Sequence, residues 1–370
     1  MKALSADELF TPFAHADTGI TSYLLRNPAG HSQQSLYFSR PSCDRDFRYL
    51  WFAWATPWAG TALAGRMLGV VDLARREIRT FPDTPFTEAS ATVLPDSGEV
   101  VWCSATGVWR RGPQPEDTPA FCGGLPIEMT KKRLVRRLAT QVSINADGSR
   151  AFLDSRIGPH CFLGTVELAS QGYTPRFSSW LNLNHAQFSP TDPDLVLLAQ
   201  DDDSDFFTGA TTPYEHRMYL YDLNGRLTPL GPSGRGFGHE FWGADGRHVW
   251  VVAYRDGVMR VPLDGGEAEL VWPGTGWHAH ASACERYVVA DHRIGANKGG
   301  PAWLVRFLNR ETGRSVEVAR MPEGSPDDIL HQHSHLRFEA SDSVVVYTTL
   351  ARGTADVAVV PVSDLVAATS

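Results

Sequence analysis

The sequence has no paired cysteines, no excess of positive charge and no long apolar run. Its five cysteines, Cys43, Cys103, Cys122, Cys161 and Cys284, are odd in number and widely scattered. That pattern gives neither a disulfide framework nor a Cys-x-x-Cys metal knuckle, and free thiols in a reducing compartment are expected. Lys and Arg number 34 against 42 Asp and Glu, for a net charge of −8. This argues against a nucleic-acid partner, because phosphate binding draws on clustered cations. The one basic run, Lys131, Lys132, Arg133, Arg136 and Arg137, is short and reads as a solvated loop or strand face. The stretch from Met1 to Ile20 lacks the apolar core of a secretory signal, and no segment is long enough to span a membrane as a helix, so a cytoplasmic protein is expected. A Gly-x-Ser-x-Gly elbow, a phosphate loop and a dinucleotide fingerprint are also missing, which disfavours serine hydrolases and nucleotide enzymes. Helical periodicity is scarce; Leu134 to Gln141 is the best stretch, and it reads as a strand or a single turn.

Histidine is abundant. Of thirteen, three fall in the five residues His331, Gln332, His333, Ser334, His335, and two more form the pair His278 and His280. On an extended strand, side chains at i and i+2 share a face, so each pair can offer two nitrogens to one ion. An isolated His-x-His is more often a solvated strand edge; two such clusters in one chain favour a metal site. Without cysteines beside them, the histidines suit an open site of the catalytic kind, completed by oxygen ligands.

The length of 370 residues, 42% hydrophobic, fits two ordinary domains or one large all-β domain. An internal repeat decides between them. A turn signal followed by a β-rich apolar run recurs at Asp44 to Ala53, Pro95 to Cys103, Ala146 to Leu153, Pro190 to Ala199, Ala244 to Tyr254, Ala283 to Asp291 and Ala340 to Thr348. The spacing averages about fifty residues, within the range of propeller repeats. Several copies are followed by a strand that reaches an acidic or amide turn, as in Val70-Val71-Asp72-Leu73 and Leu220-Tyr221-Asp222-Leu223. One such unit is a four-stranded blade that cannot bury both faces alone, whereas seven in a ring can. The expected fold is therefore all-β, a seven-bladed β-propeller over residues 1–370. The chain ends read as poor in strands, with one mixed blade joining them. A β-sandwich lacks this repeat.

The string Gly238-His239-Glu240-Phe241-Trp242-Gly243-Ala244-Asp245-Gly246 resembles the oligogalacturonate lyases, cytoplasmic seven-bladed propellers that cleave galacturonate oligomers. Glu215-His216-Arg217-Met218-Tyr219-Leu220 is similar to that family's strand bearing a catalytic arginine. Trp277-His278 and His333-Ser334-His335-Leu336-Arg337-Phe338 are similar to its manganese-ligand segments. The matches keep their order along the chain and extend more faintly from about residue 20 to the end. The resemblance implies Mn²⁺ held by His278, His333 and His335, with His280 as a substitute for His278. The family's glutamine falls where this chain has Leu330, so Gln332, His331 or a water supplies the fourth ligand, with Gln332 preferred. The segment Gln200-Asp201-Asp202-Asp203-Ser204-Asp205 is acidic where the family tends to carry a His-Glu pair.

The implied reaction is β-elimination on a short, acidic, uronate-containing oligosaccharide. Removing a proton next to a carboxylate is difficult near neutral pH, and a divalent cation on the carboxylate stabilises the charge that develops. Imidazole and oxygen ligands suit Mn²⁺ and equally admit other divalent transition metals. Two residues compete for the base. The resemblance points to Arg217, yet a guanidinium with pKa above about 12 rarely gives up its proton. His239 titrates near the operating pH, which makes it base or acid and Arg217 a clamp on the carboxylate. The competing readings are a strand arginine paired with Glu215 or Asp222 and a turn histidine packed by Trp242. His185, Arg156 and His31 are candidates to line the channel and bind substrate, and Trp58, Trp180 and Trp277 are candidates to stack on sugar rings. Two other functions fit the same residues: a non-catalytic propeller scaffold, or a metal-dependent epimerase or hydrolase on a related sugar acid.

Overall fold

Apolar runs that look continuous in the sequence become strands buried on both faces. Along His248–Ala253 every residue is buried. Val249 and Val251 pack with Leu197 and Met218, whereas Trp250 and Val252 pack with Ala279 and Val288. Successive side chains point to opposite faces of a strand, so a strand sandwiched between two neighbours needs no polar alternation. The computed structural model describes residues 8–16, 18–56, 65–204, 208–234, 236–294, 302–321 and 333–370.

Seven antiparallel sheets are arranged as a β-propeller. Their first strands are Ser32–Gln34, Thr92–Val93, Ser143–Ile144, Leu183–Phe188, Phe237–Trp242, Ala279–Ala281 and Arg337–Glu339, and each sheet continues outward from there. The third sheet has a divided inner edge, since Val135–Arg137 and Ser143–Ile144 both pair with Arg150–Ile157. A small hairpin, Asp203–Ser204 with Thr211–Thr212, projects from the fourth. Seven hydrophobic clusters each draw residues from two adjacent blades, so the core is a ring of interblade layers. All seven repeat copies read from the sequence run into the second strand of a blade, from Tyr49–Ala55 to Val344–Thr349.

The ring closes in the seventh blade, where Thr21–Leu25 pairs with Asp356–Pro361 through Tyr23 opposite Val359 and Leu24 opposite Ala358, and Phe10–Ala14 adds the outermost strand. The mixed blade is as expected, but the ends are not poor in strands. These two segments hold five residues each and earn their structure by pairing across the chain, a non-local signal that a local pattern does not carry. The helix Val362–Thr369 was also not expected. It buries Val362, Leu365 and Thr369, the i, i+3 and i+7 positions of one face, against the sixth and seventh blades. Within Leu134 to Gln141 the strand reading holds at Val135–Arg137. Among the described residues no helix is long and apolar enough to cross a membrane, and all five cysteines are free.

Candidate active site

The first strands do not run straight. His185, His239 and His335 have φ of 49°, 54° and 42°, a left-handed conformation that costs a non-glycine residue roughly 1 kcal/mol or more. In the fourth and fifth blades the pairing register jumps at this point, between Asn184 and Gln187 and between Gly238 and Phe241. The result is a bulge at the same place in each strand, and bulges re-aim side chains. Here the re-aimed side chains are imidazoles, and they gather around Tyr37 and Phe38, which the first blade sends to the same place. Tyr37 lies 6.2 Å, 6.0 Å and 4.9 Å, ring centre to ring centre, from His185, His278 and His335. Phe38 lies 5.8 Å from His239 and 5.2 Å from His278.

Three of these histidines form a compact donor set. A nitrogen from each of His278, His333 and His335 lies within 4.8 Å of the other two. His278 is fully buried and its Nδ1 sits 2.9 Å from Asp291 Oδ2; the same carboxylate accepts the His278 backbone N–H at 2.5 Å and the Ser334 hydroxyl at 2.9 Å. A carboxylate receiving the Nδ1 hydrogen fixes the ring and leaves Nε2 as the lone-pair nitrogen, the usual arrangement behind a metal-ligating histidine. His239 stands beside this set without belonging to it, 4.1 Å from His278 between ring centres. Its Nδ1 is 3.3 Å from the Tyr254 hydroxyl. Burial, then the neighbouring His278, hold the His239 imidazole well below its ordinary pKa, so it is neutral at pH 7.

A second polar cluster adjoins the first. Arg217, buried on the strand His216–Asp222, donates from Nε to Glu240 Oε2 at 3.0 Å and from Nη1 to Asp201 and to the Gln200 carbonyl. Its Nη2 reaches Glu240 Oε1 at 3.3 Å and lies 3.1 Å from His185 Nδ1. Burial alone would raise the Glu240 carboxyl, but Arg217 overrides it and holds the carboxyl far below the usual range. Burial alone would lower the pKa of the guanidinium, and Glu240 and Asp201 reverse that, pushing it above the ordinary value.

No family model matches the chain, and no curated protein does. Solved structures do match. An oligogalacturonate lyase in complex with manganese superimposes with a TM-score of 0.75 at 17% identity, over 95% of this chain and 96% of that one. The oligogalacturonate lyase from Vibrio parahaemolyticus gives 0.75 at 16% identity with the same coverage. The chain has the fold of the oligogalacturonate lyases. The hydrazine synthase of Kuenenia stuttgartiensis, at 0.53 and 12% identity over 91% of this chain and 98% of that one, is a more distant likeness.

Within that fold the sequence-predicted residues separate. His278, His333 and His335 come together, with His239 and His185 at the same end of the channel. His280 does not join them. Its Nε2 lies 2.8 Å from Arg337 Nη1, its ring stacks on Phe241 at 5.1 Å, and it faces away from His278. The same-face reading for His278 and His280 fails because the first strand starts only at Ala279, and His278 is turned by its bonds to Asp291. His333 and His335 do share a cluster, although they precede a strand rather than lie in one, and His335 is left-handed. His239 lies in the bulge of Phe237–Trp242, not on a turn. Arg156 pairs with Asp203 at 2.7 Å, and His31 stacks on Trp54 at 4.7 Å; no described contact ties either to the imidazoles. Trp277 is 5.4 Å from His239 and 5.9 Å from His333, while Trp180 is exposed against His160. Gln332, His331 and Trp58 lie outside the described residues. Sequence reading missed Asp291, Glu240 and Tyr37 as site residues. Asp291 had a signal: it closes the sixth repeat copy, thirteen residues after His278.

Proposed function

We propose that this protein is a metal-dependent lyase that cleaves short, oligogalacturonate-like uronate oligosaccharides by β-elimination. The observation supporting this most is the three-imidazole set beside a fourth, non-member imidazole, in a chain with the oligogalacturonate lyase fold. Histidine nitrogens about 2.1 Å from one ion stand roughly 3 to 3.5 Å apart, so the set closes on an ion by small ring rotations. We assign His278, His333 and His335 as ligands of a divalent transition metal, Mn²⁺ first among them, with Gln332 as the fourth. Bound there, the ion supplies Lewis-acid stabilisation to a substrate carboxylate.

His239 is the base. With its Nδ1 hydrogen directed to Tyr254, Nε2 carries the lone pair that takes the proton from C5, while the C4–C5 double bond forms, the C4–O bond breaks and the departing oxygen takes up a proton from water. Arg217 keeps its proton, because two carboxylates flank it, and acts as a fixed positive charge. Of those two, Glu240 is fully buried and Asp201 is 42% exposed, so the substrate carboxylate takes the place of Asp201 on Nη1. His185, against both Arg217 and Tyr37, faces the substrate. The five free cysteines support a cytoplasmic setting, and the interblade core supports one domain across the chain.

The test is ultraviolet absorbance of the 4,5-unsaturated product when the protein meets galacturonate oligomers with Mn²⁺. Absorbance should rise, stop with a chelator, and fall about 10²- to 10⁴-fold for His239→Ala with Mn²⁺ still bound. Product without the double bond would leave a metal site and replace the reaction; no product from any uronate oligomer would end this reading.

A further inference from the structure

The first strands of the fourth and fifth blades carry imidazoles nearer one end of the channel and aromatic rings nearer the other. His185 and His239 sit in the bulges, and Phe188 and Trp242 end the same strands three residues further on. At the aromatic end lies a cavity of about 530 Å³. Its walls include Phe188, Phe241, Trp242 and Phe338, and Arg40, Arg337 and His280 also line it.

Arg40 is the unusual member. It is buried, yet its described hydrogen bonds all go to uncharged oxygens: Nε and Nη2 to Gln141 Oε1 at 2.9 and 2.8 Å, Nη2 to the Ala186 carbonyl at 3.1 Å, and Nη1 to the Ser143 hydroxyl at 3.1 Å. Among the described residues no carboxylate lies within ion-pair distance of it. Asp154, a buried carboxylate that acts on it from beyond that distance, is spent on the Thr140 amide and hydroxyl and the Ala186 amide. A guanidinium has five N–H bonds, and these four contacts leave one Nη1 hydrogen over. A buried charge without a counter-charge is costly, and an anion in the cavity offsets that cost. Arg337 adds a second guanidinium, with Nη1 on the Phe38 carbonyl and near His280, and Nε 3.3 Å from Glu339. Arg45 at the rim is paired with Asp96, and Asp342, whose carboxylate accepts the Ala283 amide, also reaches the rim. That acidic edge disfavours a highly charged ligand and leaves one deep cationic position.

We propose that this cavity, at the opposite end of the channel from the three imidazoles, binds a small organic anion: its carboxylate or phosphate head meets Arg40 and Arg337, and its body lies against Phe241 and Trp242. The site is independent of the metal centre and of the proposed reaction. The test is calorimetric titration of benzoate, acetate and inorganic phosphate into the protein at constant ionic strength, with chloride as control, in the presence and absence of a chelator. At least one oxyanion should bind at millimolar concentration or tighter with the chelator present, and which head binds identifies the source. Arg40→Met should weaken binding roughly tenfold to a hundredfold, the worth of one charged hydrogen bond. Should that variant not fold, Ala244→Trp decides, because Ala244 is an exposed rim residue whose enlargement blocks the cavity and touches no cation. Unchanged binding in Ala244→Trp, heat indistinguishable from chloride, or loss of binding in His333→Ala would each overturn the proposal.

Discussion

Asp291 does for His278 what no ligand count reveals. It holds the backbone and the ring of one residue together, at full burial, and ties in Ser334 beside the other two imidazoles. Asp291→Asn should lower Mn²⁺ affinity about 10- to 100-fold, measured by titration, because an amide can present its donor to the ring and lose the tautomer. Unaltered affinity would make Asp291 structural only. Glu339 gives a separate prediction. It is buried, accepts the Ser42 amide at 2.6 Å, and burial pushes its carboxyl from 4.5 up to about 7 despite Arg337. A folded pKa above the unfolded one means the folded state binds the extra proton, so this group's stability contribution is complete below about 4.5 and is lost as pH rises through 7. Between those limits Glu339→Gln should gain on the natural protein by on the order of 3 kcal/mol, read as a changing gap between two denaturation curves. A gap independent of pH would refute the raised carboxyl. The histidines were legible in the sequence because residue type and spacing carry ligand chemistry. Glu240 was not, because its role depends on which strand neighbours it in space, and Asp291 was marked only by its place at the close of a repeat copy.

At the scale of the element, the bulges in the first strands of the fourth and fifth blades set the chemistry. Strict alternation would have put His278 and His280 on one face, and the sequence supplies no mark for the left-handed residues at 185, 239 and 335, since none is glycine or asparagine. Second strands were legible in all seven blades because they are buried on both faces and open after a turn; first strands, short and kinked, were not. Gly238 adjoins the bulge, and a Cβ there would run into the Tyr254 hydroxyl, the group that meets His239 Nδ1. Gly238→Ala should therefore cut kcat by an order of magnitude or more with Mn²⁺ binding preserved, as judged by parallel activity and metal titrations. Equal loss of both would mean the strand, not the Tyr254 contact, had been disturbed.

The whole molecule explains why the site is where it is. A ring of interblade layers leaves a channel that every first strand borders, so residues as far apart in sequence as Tyr37, His185 and His335 meet there. Closure by Thr21–Leu25 against Asp356–Pro361 holds the seventh blade, and with it His333 and His335, against the sixth. Repeat number was readable from turn and strand signals, whereas the closure came from pairing between chain ends and left no local trace. The most direct measurement is electron paramagnetic resonance of Mn²⁺ added to chelator-treated protein, where bound ion loses the free-ion signal. One ion per chain should bind to the natural protein and none to His333→Ala at the same concentration, with His280→Ala, whose ring faces Arg337, behaving as the natural protein. Binding unaffected by His333→Ala, or abolished by His280→Ala, would contradict the three-imidazole centre.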